Sequence, residues 1–521
     1  MVPDDALAAG GSAYSGLRPW YGDLHNHCDI SYGHGSLDDA YGNARMQLDF
    51  ASVTGHAHWP DMPPREGRLA YLVDYHQRGF DHLASIWGEV QERTEAHHED
   101  GRFVTFLSFE WHSMRHGDYC IYYKGSRGEI VRAPDIAAMR AALEAVRRTG
   151  GDAIMIPHHI CYVPGFRGIC WGDFDERHSP VVEIVSMHGC SESSDAPRPC
   201  LHSMGPRDGR NTMLAGLAAG HRFGVIGSSD HHSAHPGSYD HGRLGVWAGE
   251  LTRDAIWEAL RARRTWAMTG DRIELATALN DAPMGAAIPF AHERDVRVDV
   301  RAGGPIDYVE LVRNGVVVER RTPLAAAGPP LPSFRGKVTL AVGWGEARDA
   351  TEWDVRVGVR GGRLLTVEPR FRGDEVVAPQ DGGGSAHRYS EWTRPATNEV
   401  AFRTRSRRNA TTRTDGTQKI CLEIEGDGDT RIVAQINGRD VDVSLPDLCQ
   451  GPRAGFLDGF VSEAWQLSRA IPEHEYAWSW AWLDTVEREV APRGDAYYVR
   501  VRQKDDQWAW SSPIFVGGGR R

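Results

Sequence analysis

The sequence predicts an α/β protein in which a distorted β/α barrel precedes an antiparallel, β-sandwich-like C-terminal region. Three observations support this fold class. Short apolar runs alternate with helix-like segments up to about residue 278, period-two alternation dominates after it, and a histidine or carboxylate motif follows several of the apolar runs. The 521 residues exceed one ordinary hydrophobic core, so two or three domains are expected.

The first half contains repeated strand–helix units. The strand-like runs are 50–54, 103–109, 153–156, 181–186 and 224–227, and the segments 137–148 and 253–263 are helix-like. Such alternation predicts βαβ units and a mainly parallel sheet, closed into a barrel or nearly so. In barrels of this kind the chemistry gathers at the carboxyl ends of the strands.

The second half has the alternation of half-buried strands. Val296, Val298 and Val300 alternate with charged residues, and Asn314-Gly315 is a strong hairpin signal. The segment 372–419 is polar and Gly-rich, so we predict a long loop or mobile insertion there. We therefore expect a flexible N-terminus over 1–16, a first domain over 17–278 and a β-rich domain over 279–521.

The composition is that of a soluble globular protein, with 41% hydrophobic and 25% charged residues. No apolar run approaches the roughly 18–20 residues that span a bilayer. Residues 1–16 lack the basic start and apolar stretch of a secretory signal, so we expect a cytoplasmic protein with no membrane partner. The net charge of −12 argues against a nucleic-acid partner. The eight irregularly spaced cysteines are expected to be free thiols, although Cys28 could be a metal ligand.

Histidines and carboxylates form motifs where the predicted strands end. These are D-L-H-N-H at 23–27, T-G-H-A-H at 54–58, S-F-E-W at 108–111, I-P-H-H at 156–159 and S-S-D-H-H at 228–232. Of the 24 histidines, 21 lie at or before His241, which a structural use of histidine does not explain. Imidazole and carboxylate together suit Zn, Mn and Fe, so the motifs indicate a multinuclear metal site.

The order and spacing of these motifs resemble the PHP (polymerase and histidinol phosphatase) superfamily of metal-dependent hydrolases. Further stretches resemble its DUF3604-like group, among them V-E-I-V-S-M-H-G-C-S-E at 182–192, A-L-R-A-R-R-T-W-A-M-T-G at 259–270, R-N-G at 313–315 and A-W-S-S-P at 509–513. The resemblance implies a PHP-type barrel over 17–278, with two or three divalent metal ions.

The resemblance also implies a set of ligands. One metal would be held by His25, His27, Glu110 and Asp230, and Glu110 would bridge to a second held by His116 and His158. A third would use His56 and His232, with His34 as a further contributor. We prefer His116 to His112, because H-G-D-Y-C-I-Y-Y leads straight into a strand, and His158 to His159, because His158 is nearer the strand end.

One departure concerns the third position. The superfamily usually has T-D-H where this chain has Thr54-Gly55-His56. A glycine offers no carboxylate to orient the imidazole of His56, so two ions are expected in preference to three. His58 could compensate, although a hydrogen-bonding role fits it equally well.

The predicted function is hydrolysis by a metal-bridging hydroxide, most readily of a small-molecule phosphoester. Glu110, Asp230 and His188 are the expected catalytic residues, and the expected substrate-binding residues are His159, His188, Arg243 and His231. The sequence has no G-x-S-x-G motif for a serine nucleophile. Hydrolase or lyase chemistry on an ester, amide or glycoside is the alternative, and a noncatalytic binding protein on a degenerate metal scaffold is a further one. Homo-oligomer formation is left open.

Overall fold

A computed structural model of the chain describes residues 11–323, 333–346, 350–374, 387–409, 415–488 and 494–518. The protein is a mixed α/β, sheet-rich molecule. Its described α-helices are α1 Leu37–Gln47, α2 Ala70–Ala96, α3 Ile136–Arg148, α4 Met213–Ala218, α5 Arg253–Arg261, α6 Leu445–Gln450 and α7 Glu473–Tyr476. No helix in these ranges is long and apolar enough to cross a membrane.

The strands fall into two groups along the chain. Those of the first half are β1 Arg18–Asp23, β2 Phe50–Ser52, β3 Gly55–His58, β4 Val104–Trp111, β5 Tyr119–Tyr123, β6 Ala153–Pro157, β7 Val181–Ser186, β8 Gly189–Cys190, β9 Gly224–Gly227, β10 Arg243–Ala248, β11 Thr265–Met268 and β12 Glu274–Leu279. Those of the second half are β13 Ala282–Pro283, β14 Ala287–Ile288, β15 Glu293–Arg301, β16 Ile306–Arg313, β17 Val316–Arg321, β18 Phe334–Gly343, β19 Thr351–Arg360, β20 Arg363–Arg370, β21 Glu391–Ala396, β22 Glu399–Ser406, β23 Gln418–Gly426, β24 Arg431–Ile436, β25 Arg439–Ser444, β26 Arg453–Phe456, β27 Ala464–Leu467, β28 Ile471–Pro472, β29 Ala477–Thr485, β30 Asp495–Gln503, β31 Trp508–Ser511 and β32 Ile514–Val516.

The predicted strands and helices of the first half are confirmed, with small shifts at their ends. The helix predicted over 137–148 is α3, whose first turn is capped by the Asp135 side chain accepting from the Ala138 amide. At α1 the Ser36 and Asp39 side chains each accept from the other's backbone amide, which fixes the start of the helix at Leu37.

The sheet of the first half is less parallel than predicted. Strands β1, β2 and β4 run parallel, as do β3 with β4 and β7 with β9. Strand β5 is antiparallel to both of its neighbours, β4 and β6, and β10 is antiparallel to β1. The connection between β4 and β5 is too short for a parallel pair, which needs a crossover of a dozen residues or more, so these two strands are antiparallel.

Hydrogen bonds do not close this sheet into a barrel within the described residues. The main ladder runs β14-β32-β30-β31-β11-β10-β1-β2-β4-β5-β6, and β8, β7 and β9 form a separate small sheet. Strand β7 lies against β6, and β9 lies against β10 and β11, without pairing with them. The expected closed barrel is therefore not confirmed.

The C-terminal half is antiparallel except for the short parallel pair of β14 and β32. One sheet has the order β20-β23-β18-β27-β26 and another the order β21-β22-β19-β24-β25. The two share an apolar core to which Val338, Leu340, Val355, Val357 and Leu422 belong. The prediction of one long loop over 372–419 is wrong for its described part, because β21 and β22 form a hairpin there. Residues 375–386 and 410–414, including the D-G-G-G-S stretch, lie outside the described residues.

One ladder crosses the predicted domain boundary near residue 278. Strand β31, close to the C-terminus, pairs antiparallel with β11, with Trp266 opposite Ser511. At the other end of the chain Tyr14 is buried, and its hydroxyl donates to the Thr277 carbonyl at 2.6 Å. Residues 1–10 of the predicted flexible N-terminus lie outside the described residues. The division into domains stays a prediction.

Candidate metal centre

The metal motifs meet at the carboxyl ends of adjacent strands. His25 and His27 follow β1, His56 lies on β3, Glu110 lies on β4 and His158 follows β6. Asp230 and His232 follow β9, and an isolated bridge between Asn26 and His231 joins that loop to the first motif. All seven motif side chains are buried. Seven of the nine predicted ligands therefore lie together in one cluster at the strand ends.

Three donor atoms in this cluster have the spacing of a coordination shell. His25 Nε2 and His27 Nε2 are 3.2 Å apart, and Asp230 Oδ1 lies 3.2 and 3.1 Å from them. For metal–nitrogen distances of about 2.0–2.1 Å, the edge of a tetrahedron is about 3.3 Å. The three atoms therefore fit one divalent ion.

Glu110 faces two sets of imidazoles with its two oxygens. Oε1 lies 3.0 Å from His158 Nε2 and 3.2 Å from His112 Nδ1. Oε2 is buried without a hydrogen-bond partner among the described residues and lies 3.4 Å from both His27 Nε2 and His56 Nε2. A buried carboxylate oxygen in this state is costly unless a cation balances it, so Glu110 has the position of a bridging ligand.

His27, His56 and His232 form a further group of converging nitrogens. The expectation that His56 lacks an orienting partner is wrong, because Ser31 Oγ lies 2.9 Å from its Nδ1. A side chain at Gly55 would displace Leu83, since its Cβ would lie 2.8 Å from Leu83 Cδ1. The hydroxyl of Ser31 thus orients the His56 imidazole.

The electrostatics of the cluster favour cations. Burial would raise the pKa of Glu110, but His112, His56 and His158 hold it well below its usual value. Burial, helped by the neighbouring His27, lowers the pKa values of His56 and His232 well below the usual range, so these imidazoles are neutral and carry free lone pairs. Neutral imidazoles such as His56 and His232, beside an ionised Glu110, are donor types that divalent metals bind.

Two carboxylates that the sequence analysis missed support the cluster. Glu183 Oε2 lies 3.0 Å from His25 Nδ1, which directs the His25 Nε2 lone pair towards the cluster. Burial raises the pKa of Glu183 to about 7. Asp118 accepts from Arg167 Nε at 2.6 Å. Glu183 is the lone charged residue inside the apolar run 181–185, a signal that could have identified it.

The structure corrects the choice of His116 over His112. His112 stands with Glu110 and His56 in a group of converging donors. His116 instead bonds Asp173 at 2.7 Å, away from the cluster. The spacing explains the difference, because side chains two residues apart at a strand end point to the same side, as Glu110 and His112 do.

Three other predicted site residues do not join the centre. Arg243 is fully buried and donates to the Gly237 carbonyl and to Gln47 Oε1, so it is not available to a substrate anion. The His231 ring stacks on that of His241 at 5.5 Å. The His34 ring stacks near that of His387, and His34 belongs to none of the donor groups in the described ranges.

His188 and His159 lie beside the cluster, and their binding of a substrate stays a prediction. His188 Nε2 is 2.9 Å from Asp230 Oδ2. His159, with a positive φ of 29°, places its Nε2 3.7 Å from Asp118 Oδ2 and its ring 5.6 Å from that of His188.

The family described as "Protein of unknown function (DUF3604)" matches residues 239–277, which confirms the resemblance that the motifs indicated. An uncharacterized protein of Chlamydia pneumoniae is 24% identical over 255 residues, which are 45% of this chain and 40% of that protein. An uncharacterized protein of Chlamydia muridarum is 28% identical over 180 residues, or 30% and 29% of the two chains. The matches thus span less than half of these relatives' own lengths.

A solved structure, that of a two-domain protein containing a predicted PHP-like metal-dependent phosphoesterase from Bacteroides vulgatus, is similar at 13% identity. The match covers 85% of this chain and 97% of that chain with a TM-score of 0.30.

Proposed function

We propose that the protein is a metal-dependent hydrolase whose centre holds two divalent ions, Mn, Zn or Fe, and whose substrate is a small-molecule phosphoester. The observation that carries the proposal is the position of Glu110, whose two oxygens face different sets of imidazole nitrogens. A carboxylate bridge between two ions is the arrangement that metal-assisted hydrolysis uses. The predominance of imidazole favours first-row transition metals over Mg²⁺.

Each ion would have its own protein ligands. His25, His27 and Asp230 would hold the first together with one oxygen of Glu110, and His158 and the other oxygen of Glu110 would hold the second, with His112 beside them. With His27 Nε2 committed to the first ion, His56 and His232 remain for a third position, too few for a tetrahedral site without added water. This favours two ions over three.

When bound, the ions would supply Lewis acidity towards the ester and towards water. The chain itself supplies a proton donor. In the tautomer with its proton on Nε2, His188 donates to Asp230 Oδ2, so that proton is held at the border of the centre. That bond orients the ring and leaves Nδ1 as the atom from which His188, when also protonated there, would give a proton to the oxygen of a departing alcohol.

Aromatic and cationic side chains border the same space. Tyr32 stacks on His56 with ring centroids 3.5 Å apart, which restricts the access of bulk water. Arg167, held by Asp118, lies over the Trp59 ring at 5.1 Å and reaches within 2.8 Å of His112 Nδ1. We assign to Arg167 the anion-anchoring role that the sequence analysis gave to Arg243, because a guanidinium suits the charge of a phosphoester.

The test combines metal analysis with a substrate panel. Protein purified without chelators should contain about two transition-metal ions per chain. With added Mn²⁺ or Zn²⁺ it should hydrolyse phosphomonoesters or phosphodiesters in preference to carboxylic esters, amides and glycosides. Activity confined to a non-phosphate substrate would support the alternative hydrolase or lyase. A metal content below about one ion per chain, with no turnover, would favour the noncatalytic binding protein.

A further inference from the structure

Two thiols are in contact beside the metal centre. Cys161 Sγ and Cys200 Sγ are 3.3 Å apart although the residues are 39 positions apart in the chain. Cys161 lies in the loop after β6, three residues beyond His158, and Cys200 lies between β8 and α4. The sulfurs of a disulfide are about 2.0 Å apart, so an approach of about 1.3 Å would join them.

The backbone around both cysteines is already held in place. The Asp208 amide donates to the Cys161 carbonyl at 2.7 Å, and the Cys190 amide donates to the Arg198 carbonyl at 2.9 Å. Arg207 donates to three carbonyls of the segment 194–198, each at 3.0 Å. Because these contacts fix the loop that carries Cys200, joining the sulfurs orders little additional chain.

The two thiols differ in exposure and in acidity. Cys161 is fully buried, whereas Cys200 is partly exposed and can meet a small oxidant. A hydrogen bond from Cys161 lowers the pKa of Cys200 to about 7 against the opposing effect of burial, and the Arg207 guanidinium acts in the same direction as the hydrogen bond. Cys200 therefore has thiolate character near neutral pH, and the thiolate is the nucleophilic form.

We propose that Cys161 and Cys200 form a reversible redox pair that hydrogen peroxide or an organic hydroperoxide oxidises to a disulfide. The Cys200 sulfur attacks a peroxide oxygen, the O–O bond breaks, and the products are Cys200 sulfenic acid and water, or an alcohol from an organic hydroperoxide. The Cys161 sulfur then attacks the Cys200 sulfur, the S–O bond breaks, and hydroxide leaves with the Cys161 proton as water. In total two thiols lose two electrons and two protons to one peroxide.

The disulfide would cross-link two walls of the metal centre. The loop of Cys161 continues from His158, and the loop of Cys200 carries His202, whose ring lies 4.4 Å from that of His188. The redox pair rests on the contact between the thiols alone, so it does not depend on the proposed hydrolase activity.

The test is peptide mapping of the full chain. Reduced, desalted protein is treated with one equivalent of hydrogen peroxide, alkylated with iodoacetamide, digested with trypsin and analysed by mass spectrometry. We expect most chains to contain a cross-link between peptides 149–167 and 178–207 that dithiothreitol removes. Because Cys190 shares peptide 178–207, the mapping is repeated with Cys190→Ser, which should retain the cross-link. Cys421→Ser, remote from the pair in sequence, should also retain it, and Cys200→Ser should lose it.

Fragment spectra of the wild-type cross-link show whether Cys190 or Cys200 is joined to Cys161, so the test holds even if a variant fails to fold. Recovery of Cys161 and Cys200 both in alkylated form after peroxide would overturn the proposal. So would Cys200 sulfinic acid beside a free Cys161, because that product shows that Cys161 does not resolve the sulfenic acid.

Discussion

Arg198 donates two hydrogen bonds to Asp240, at 2.7 and 3.1 Å, and so joins two loops beside the metal centre. Gln507, near the C-terminus, donates a third to the same carboxylate at 2.7 Å. Burial alone would raise the pKa of Asp240, but the charges of Arg372 and Arg198 and the hydrogen bonds lower it to about 2. One carboxylate therefore links three distant parts of the chain.

This link predicts a pH-dependent contribution to stability. Because the folded-state pKa lies below the unfolded value of about 3.9, the Asp240 charge stabilises the fold at neutral pH and stops doing so as the pH falls from about 4 to 2. The difference corresponds to about 2 kcal/mol. Asp240→Asn should lower the free energy of unfolding by that amount at pH 7 and flatten its dependence between pH 4 and 2, as measured by urea titration. Asparagine tolerates the positive φ of 76° at this position.

Asp254→Asn is the control, because that side chain is 82% exposed in an ion pair with Lys124 and should change stability little. Equal pH profiles for the Asp240 variant and the wild type would contradict the prediction.

Glu110→Gln should remove the bridge between the ions. An amide has one acceptor oxygen instead of two, so the variant should retain about one ion per chain. Its activity should also fall by more than the roughly 10–100-fold that is typical when a residue supporting a metal ligand is replaced. Elemental analysis and turnover measure this. Glu99, exposed and paired with Arg102 at 3.2 Å, provides the matched Glu99→Gln control. Similar metal content in the two variants would refute the bridging assignment.

His112→Ala and His116→Ala distinguish the two histidines that follow β4. We expect the His112 variant to lose metal affinity by at least about tenfold, because its ring stands beside Glu110. The His116 variant should keep its affinity and lose only the contact with Asp173, at a cost of about 1 kcal/mol of stability. Competition with a fluorescent chelator reports the affinities. A larger loss of metal affinity in the His116 variant than in the His112 variant would show that His116 is the ligand.

Glu183→Gln tests the carboxylate behind His25. The neutral amide would hold the His25 Nδ1 proton more weakly, so metal affinity should fall by about 10–100-fold while the fold is kept. Chelator competition and circular dichroism measure the two effects. Glu144→Gln is the control, because the Glu144 side chain is 47% exposed and pairs with Arg147. An unchanged affinity would show that Glu183 does not orient His25.

Local pattern was enough to predict most of the clustered side chains. His25, His27 and Glu110 were found because each follows or ends an apolar run, and the carboxyl ends of neighbouring strands converge. Position relative to a strand end is a property of a few consecutive residues. The helix α3 was predictable for the same reason, since its apolar spacing and its capping Asp135 are both local.

The failures share a dependence on distant partners. Arg243 was predicted to face the substrate, but the residues that bury it include Gln47, which comes from α1. The choice between His112 and His116 depended on the direction in which the chain leaves β4. The antiparallel course of β5 and the pairing of β31 with β11 are also tertiary properties, and period-two alternation does not distinguish them from a parallel sheet.

The pairing of β11 with β31 has a consequence during synthesis. The ribosome releases Met268 about 240 residues before Trp508, an interval of roughly 10–50 s at bacterial and eukaryotic elongation rates. Throughout this time the β11 edge lacks its second partner, and an unpaired edge is a template for association with other nascent chains. The half of the protein that carries every metal motif is therefore synthesised first, but its sheet is complete only after β31 has been made. The yield of folded protein in the cell should depend on chaperones that shield the β11 edge during this interval.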